Sequence, residues 1–285
     1  MICKKLHQLV TNKVIQQSKK PLAAHRNAEI HIHDLSMLTG YCAGWSLKQL
    51  IQEGLGGIPG KVTSKPASHL SSLCNQMVNF LGIMQNEWAG AQAFSSFDTY
   101  LAPFVRADNL SYKEVEQCIE SFIFGVNTPS RWGTQAPFSN ITLDWVCPPD
   151  LKNQPAIVGG VEQDFTYGDC QREMDMVNKA FINIMIEGDA NGRGFQYPIP
   201  TYSITRDFDW SETENNKLLF EMTSKYGTPY FSNYINSDME PSDVRSMCCR
   251  LRLDLRELRK KSGGFFGSGE STGSVGVVTI NMPRV

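Results

Sequence analysis

The stretch SYKEVEQCIESFIFGVNTPSRWGTQAPFSNITLDW, residues 111–145, decides the fold class. It opens on a capping box, Ser111 to Glu114, in which each residue can satisfy the other's free backbone donor. Val115, Cys118, Ile119, Phe122, Ile123 and Val126 follow at helical spacing, until Asn127-Thr128-Pro129 ends the run. The last eight residues, FSNITLDW, then read as a short strand. The same exchange of helix for strand recurs on both sides. Downstream, a second box, Ser211 to Glu214, predicts a helix carrying Leu218, Leu219, Met222 and Tyr226 and closed by Gly227. Met174, Val177, Phe181 and Met185 outline another. Upstream, residues 68–104 are expected to be helical, with breaks near Gly82 and Gly90. Strands are expected in EIHIHDL (29–35), YPIPTYSIT (197–205), TPYFSNYI (228–235) and GVVTINM (276–282). The last is apolar enough for a strand covered on both faces. Strands alternating with long helices predict an α/β fold with parallel pairing. Neither an internal repeat nor a Pro/Ser linker divides the chain, so residues 1–285 are read as one domain.

Bulk properties narrow the function classes. The 285 residues carry a net charge of −2, with 41% hydrophobic and 10% aromatic residues. That is enough for a sizeable core, and too balanced to recruit nucleic acid or an anionic membrane. No apolar run approaches the roughly 18 residues of a membrane span. The first residues, MICKKLHQLVTNK, lack the apolar segment of a signal peptide. A cytoplasmic location is expected.

Cysteines stand at 3, 42, 74, 118, 147, 170, 248 and 249, without a C-x-x-C or a zinc-type cluster. Most are expected to be small buried hydrophobes, Cys118 on its helix stripe among them. In RSMCCRLRLDL (245–255), Cys248 and Cys249 are adjacent. Their Cα atoms lie about 3.8 Å apart, below the usual disulfide span, so a bridge between them is disfavoured. His31 and His33 offer two ligands at spacing two without a third, so no metal is assigned. The glycine-rich SGGFFGSGESTGS (262–274) precedes a strand rather than following one, and so reads as a mobile loop, not a dinucleotide loop. The basic run 245–261 is interleaved with Asp254 and Glu257 and reads as a solvated amphipathic helix. Asn281, polar within an apolar strand, requires a partner if it is buried, and a ligand is one candidate.

Six stretches together resemble a known family: HIHDLSMLTGYCAGWSL, NEWAGAQAFSSFDTYLAPFV, NTPSRWGTQAPFSNITLD, GRGFQYPIPTYSIT, TPYFSNYINSDMEPSDVRSMCCRL and GSVGVVTINMPR. They resemble the large catalytic subunit of anaerobic (class III) ribonucleoside-triphosphate reductase, in order, over residues 25–285. Residues 1–24 form a poorly matched lead-in. The resemblance implies a ten-stranded α/β barrel of two parallel five-stranded halves, with a loop carrying a radical cysteine through its centre. It also implies thiyl-radical reduction of ribonucleoside triphosphates. The family's radical cysteine precedes an arginine and lies two residues after a methionine, which selects Cys249 and Met247 and leaves Cys248 without a role. Cys42, on the first barrel strand, corresponds to the cysteine that supplies hydrogen on the opposite face of the ribose. Asn281 corresponds to the residue that holds the ribose hydroxyls. Met247 resembles the formate-using branch. Pro198 to Thr201 lies near the substrate in the family.

Further expectations follow from the same resemblance. The cofactors would be a glycyl radical, formate and dNTP or ATP effectors, and the partners a radical-SAM activating enzyme and a second copy in a homodimer. The family's N-terminal ATP cone, C-terminal zinc site and glycyl-radical segment have no counterpart in this sequence. The chain alone is therefore expected to be inactive, as a truncated sequence or one piece of a split subunit. An incomplete barrel would expose strand edges and reduce solubility. Three other readings compete: a non-catalytic remnant that keeps nucleotide or dimer surfaces, a formate-lyase-type glycyl radical enzyme, and a nucleic-acid protein using 245–261. The last conflicts with the balanced charge. Cys42 in its histidine-aspartate context and the GVVTIN strand argue against the second.

Overall fold

The computed structural model describes residues 19–35, 39–56, 60, 62–130, 134–237, 272–274 and 276–284. A helix α1 (Lys19–Arg26) and strand β1 (Ile30–Ile32) lead into β2 (Ala43–Trp45), α2 (Leu47–Glu53) and α3 (Leu70–Glu87). Then come β3 (Gln92–Phe94), α4 (Phe97–Ala107), α5 (Tyr112–Asn127) and β4 (Ser139–Leu143). A short α6 (Pro149–Lys152), the hairpin β5 (Pro155–Val158) and β6 (Val161–Thr166), and α7 (Gln171–Glu187) carry the chain to β7 (Ile199–Ile204). The remaining elements are α8 (Glu214–Tyr226), β8 (Tyr230–Asn233), β9 (Thr272–Gly273) and β10 (Val278–Ile280).

The main sheet has the order β8-β7-β4-β3-β2-β9. Its first five strands are parallel and adjacent in chain order, while β9 lies antiparallel on β2. Parallel neighbours require long crossovers, and the helices between successive strands supply them. In register, one sheet face presents Phe94, Ile141, Leu143, Tyr202 and Ile204, which pack with helix residues such as Phe97, Phe122 and Phe181 into one core.

Several expectations hold for visible physical reasons. The α5 capping box is formed, with the Glu114 carboxylate accepting the Ser111 N–H at 2.8 Å and the hydroxyl at 2.7 Å. Gly227 closes α8 at φ +66°, a conformation that glycine adopts without strain.

Others need correction. The Ser211 box does not open α8. Thr213 is the cap, its hydroxyl accepting the Asn216 N–H at 3.1 Å, while Ser211 bonds to Asp209. The helix α3 runs through Gly82 unbroken: a mid-helix glycine lowers propensity by about 1 kcal/mol, which packing along an 18-residue helix absorbs. The stretch 68–104 contains a strand, β3, that the helical reading passed over. GVVTINM is not covered on both faces. Among the described residues its strand β10 pairs antiparallel with β1, in a separate two-stranded ribbon, and Val278 and Ile280 are 55% and 57% exposed. The run 245–261 and residues 262–271 lie outside the described residues. The end of the glycine-rich stretch is strand β9, in the main sheet.

A buried polar network ties α4, α7 and the end of β4 together. The Asp98 carboxylate accepts from the backbone N–H groups of Thr99 (3.0 Å), Asp144 (2.8 Å) and Trp145 (2.9 Å), and from the Asn178 amide (3.0 Å). Asn178 in turn accepts the Tyr202 hydroxyl at 3.0 Å. Burial pushes the Asp98 carboxyl upward, against the pull of its four donors. Removing the acceptor leaves three buried N–H groups unpaired. Asp98→Ala is therefore expected to destabilise the chain by about 3–4 kcal/mol, read as a lower urea midpoint at unchanged slope.

Candidate active site

Successive side chains on a strand point to opposite faces. The sheet face away from the helices therefore carries Gly44, Ala93 and Asn140 in one row, with Thr142 and Thr201 in the next. Over β2 and β3 these side chains are small, while toward β7 and β8 the same two rows continue into Ile199 and Tyr230. Cys42, one residue before β2, packs with Ala91 and Ala93 in a small cluster separate from the main core, and is 1% exposed.

Backbone groups hold Cys42 on three sides. Its Sγ accepts the Ala91 N–H at 3.2 Å, and its own N–H donates to the Ser274 hydroxyl at 3.2 Å. The Ser274 N–H donates back to the Cys42 carbonyl at 2.9 Å, while the Tyr41 N–H reaches the Ser274 carbonyl at 2.9 Å. Two glycines make this approach possible. A Cβ on Gly90 would lie 2.6 Å from Cys42 Sγ, and one on Gly273 would lie 2.9 Å from the Cys42 carbonyl oxygen. Neither contact is compatible with a side chain. Glycine at 90 is therefore required by the thiol and by the Tyr41 carbonyl, 2.9 Å from the same Cβ position.

The other described cysteines are packing groups. Burial pushes the Cys147 and Cys170 thiols up to about 12, and those of Cys74 and Cys118 upward as well. These four stay protonated at neutral pH and behave as apolar packing groups.

Asn281 follows β10 and is half-buried. Its N–H donates to the Glu29 carbonyl at 2.9 Å, and its side-chain amide to the Ala28 carbonyl at 2.8 Å. Cys42 and Asn281 are thus attached to opposite ends of the segment 274–281, which can span at most about 25 Å when extended. One N–H of the Asn281 side chain is thus used on the 28–29 turn. Cys248, Cys249 and Met247 lie outside the described residues. Thr201, at the end of the Pro198–Thr201 segment, lies on the same sheet face as Gly44 and Ala93, within β7. Asn127 fastens the residue before that segment, its Oδ1 accepting the Tyr197 N–H at 3.1 Å.

His31 and His33 belong to a row of rings. Centroid separations are 5.4 Å from His25 to His31, 4.6 Å from His31 to His33 and 6.1 Å from His33 to Tyr41. The row underlies β10, since His33 Nε2 lies 2.7 Å from the Thr279 hydroxyl. No group of three or more potential metal ligands comes together among the described residues. A recess lined by Asp144, Cys147, Ser203 and Asp207 sits at the C-terminal ends of β4 and β7, the opposite end of the sheet from Cys42.

Residues missed by the sequence reading also contribute. Gln85, Gln92 and Trp45 surround the Gly90–Ala91 turn that holds Cys42. A legible signal existed for one of them. Gln85 falls on the apolar stripe of α3, with Leu70, Leu73, Met77 and Leu81, where a polar side chain must be spoken for by a buried partner.

Comparison with known proteins gives a consistent picture. A family model described as anaerobic ribonucleoside-triphosphate reductase matches residues 2–285. Among solved structures, the Thermotoga maritima anaerobic ribonucleotide reductase in complex with dATP and CTP is 20% identical, with a TM-score of 0.63. The match covers 99% of this chain and 45% of that one. The same enzyme with MES in the active site aligns at 18% identity and a TM-score of 0.65, over 99% of this chain and 46% of that one. With dATP bound in the specificity site it aligns at 20% and 0.60, over 83% and 40%. The chain thus spans less than half the length of these relatives. At such identities the likeness speaks for the fold, a partial α/β barrel whose five parallel strands are those described above. Comparison with curated proteins finds no match.

Proposed function

This chain belongs to the anaerobic ribonucleoside-triphosphate reductase family, and on that premise we propose that it carries the substrate-facing thiols of ribonucleoside triphosphate reduction. The observation that carries this reading is Cys42: a nearly inaccessible thiol, held by hydrogen bonds from Ala91 and to Ser274, beside the small side chains of Ala91 and Ala93. A thiol suits the task because S–H and ribose C–H bonds are close enough in strength for reversible hydrogen transfer. In the proposed sequence, a thiyl radical on Cys249 takes the ribose 3′ hydrogen, so that one C–H bond breaks and one S–H bond forms. The 2′ hydroxyl then leaves as water. Cys42 supplies a hydrogen on the other face of the sugar, and Asn281 holds the ribose hydroxyls. Formate, the reductant assigned through Met247, ends as carbon dioxide. One formate and one proton thus convert one ribonucleotide to one deoxyribonucleotide, carbon dioxide and water. A glycyl radical held on another segment or chain would supply the unpaired electron for Cys249. The neighbours that Cys42 packs against, Ala91 and Ala93, have small side chains, which supports this reading.

The proposal extends to the setting. The described chain forms one catalytic domain, a half barrel that works within a homodimer. A radical-SAM enzyme activates it, dNTP or ATP effectors control it, and the cytoplasm houses it. No helix among the described residues is long and apolar enough to cross a membrane.

The test is reconstitution with the activating enzyme, S-adenosylmethionine, a reductant and each NTP, with deoxynucleotide measured. Product is expected only when formate is present. Product formed equally well with a thioredoxin-type dithiol in place of formate would overturn the reductant assignment. Absence of product under every condition, from the complete assembly, would favour the non-catalytic reading.

A further inference from the structure

We propose that Asn140, on the sheet face turned away from the helices, reads the hydrogen-bonding edge of the substrate's base. The assignment rests on the reductase reading of the chain, and does not depend on the direction of the Cys42 thiol.

Asn140 stands on β4 in the middle of the main sheet and is 5% exposed, yet its Oδ1 has no hydrogen-bond partner. Nor does its Nδ2 donate to any described residue. A carboxamide carries two N–H donors and an oxygen with two lone pairs, and buried groups of this kind are almost always bonded. Strand alternation sets the face on which this one waits. Ile141 and Leu143 belong to the main core, so Asn140 and Thr142 point the other way. Phe94 is also in that core, which sends Ser95 to the face of Asn140, and Tyr202 and Ile204 do the same for Thr201 and Ser203. Ser95 Oγ is a second buried atom without a partner. Among the described residues the Thr201 and Ser203 hydroxyls are unbonded too. Ser203 is 8% exposed and lines the recess at the C-terminal ends of β4 and β7.

Spacing and charge say what these groups can hold. Asn140 pairs with Ala93 and Ile199, and Thr142 with Thr201. Diagonal neighbours on adjacent strands lie about 7–8 Å apart, which is the separation of Asn140 from Thr201. Thr142 stands between them. Its Oγ1 accepts the Ser96 N–H at 3.1 Å, which leaves its own hydrogen to donate. Thr142 and Thr201 are partly exposed, so solvent reaches this face. Across β2, β3, β4 and β7 the two rows contain no Lys, Arg or His, and nothing in them can neutralise a triphosphate. They suit a neutral group that both gives and takes hydrogen bonds. In a ribonucleoside triphosphate that group is the base. Adenine and cytosine present donor and acceptor on the pairing edge in one order, guanine and uracil in the other. A carboxamide meets either order by turning over, so Asn140 can serve every base.

The experiment uses Asn140→Asp, which exchanges the donor for a second acceptor. A carboxylate accepts two N–H groups side by side, and only the guanine edge offers such a pair. The assembled, activated enzyme is assayed at one effector concentration and about pH 8, well above the ordinary carboxylate range. The kcat/KM for GTP, relative to ATP, CTP and UTP, is expected to rise by about tenfold, as a good bidentate pair discriminates. An asparagine with a structural role alone would lower every substrate equally, and an unaltered ranking in the active variant overturns the assignment. A second readout needs neither turnover nor substitution. In the wild-type full chain, the side-chain NH₂ signals of Asn140 are followed by NMR while adenosine, guanosine, cytidine or uridine is added. Each nucleoside should move them downfield, and inorganic triphosphate should leave them in place. Signals unmoved by every nucleoside would mean that water alone meets the amide, and the base site would be refuted. The two levels separate cleanly. A wild-type assembly that makes no deoxynucleotide from any NTP refutes the reductase reading, and the nucleoside shifts still decide the site. Turnover with an unchanged substrate ranking in Asn140→Asp refutes the base site alone.

Discussion

Cys249→Ser in the assembled reductase is expected to abolish deoxynucleotide formation and 3′ exchange together. The reason is bond strength. A serine hydroxyl holds its hydrogen far more strongly than a thiol does, so the alkoxyl radical needed to attack the sugar is far harder to form. The loss should exceed about three orders of magnitude, since a few kcal/mol on the barrier suffices for that. Cys248→Ser, one residue away, should retain much of the activity, because the proposed chemistry gives that sulfur no step. Both variants carry a one-atom change, so packing alone would treat them alike. Measured turnover and radical content after activation would separate them. If Cys248→Ser were the dead variant, the radical position would move by one residue, and Met247 would no longer bear the stated relation to it.

Cys42→Ala is the second large effect. Reduction should vanish, whereas 3′ exchange should survive, because removal and return of that hydrogen need only the other thiol. The substitution is structurally mild. It deletes one sulfur from a cluster with Ala91 and Ala93, and leaves the Ala91 N–H without its acceptor. A buried unpaired donor costs about 1–3 kcal/mol, which most domains survive. A deoxynucleotide assay run beside isotope exchange from tritiated substrate would settle the matter. Normal reduction by Cys42→Ala would remove the central observation from the functional reading.

What could be read from the chain depended on the size of each local signal. The helix α5 was legible because a capping box and six apolar residues agree along one stripe, and α7 for the same periodic reason. The strands β2 and β3 were not. AGW and QAF are three residues each, without alternation or β-branched side chains, and only their neighbours' hydrogen bonds make them strands. The hairpin β5–β6 was hidden for another reason: β6, VEQDFT, is six residues long but mostly polar and exposed, without apolar alternation. The strand β10 failed in the opposite sense: its composition resembles that of a buried strand, yet it pairs with β1 in a two-stranded ribbon and leaves Val278 and Ile280 exposed. Among the site residues, Cys42 was reached by resemblance. No pattern in HIHDLSMLTGYCAGWSL marks its sulfur as held by a peptide 49 residues away. Gln92 was invisible because its local bonds depend on a turn that the sequence disguises as helix.

The Ser274 contact on Cys42 bridges 232 positions. A ribosome therefore exposes the thiol long before the residue that seats it has been made. Until that late segment docks, the Cys42 backbone N–H and carbonyl lack their Ser274 partners, so the site is incomplete in the nascent chain. Loop closure over such a separation is slow relative to helix formation. Competence at this position should accordingly appear as the last event of refolding, after helical circular dichroism has already recovered.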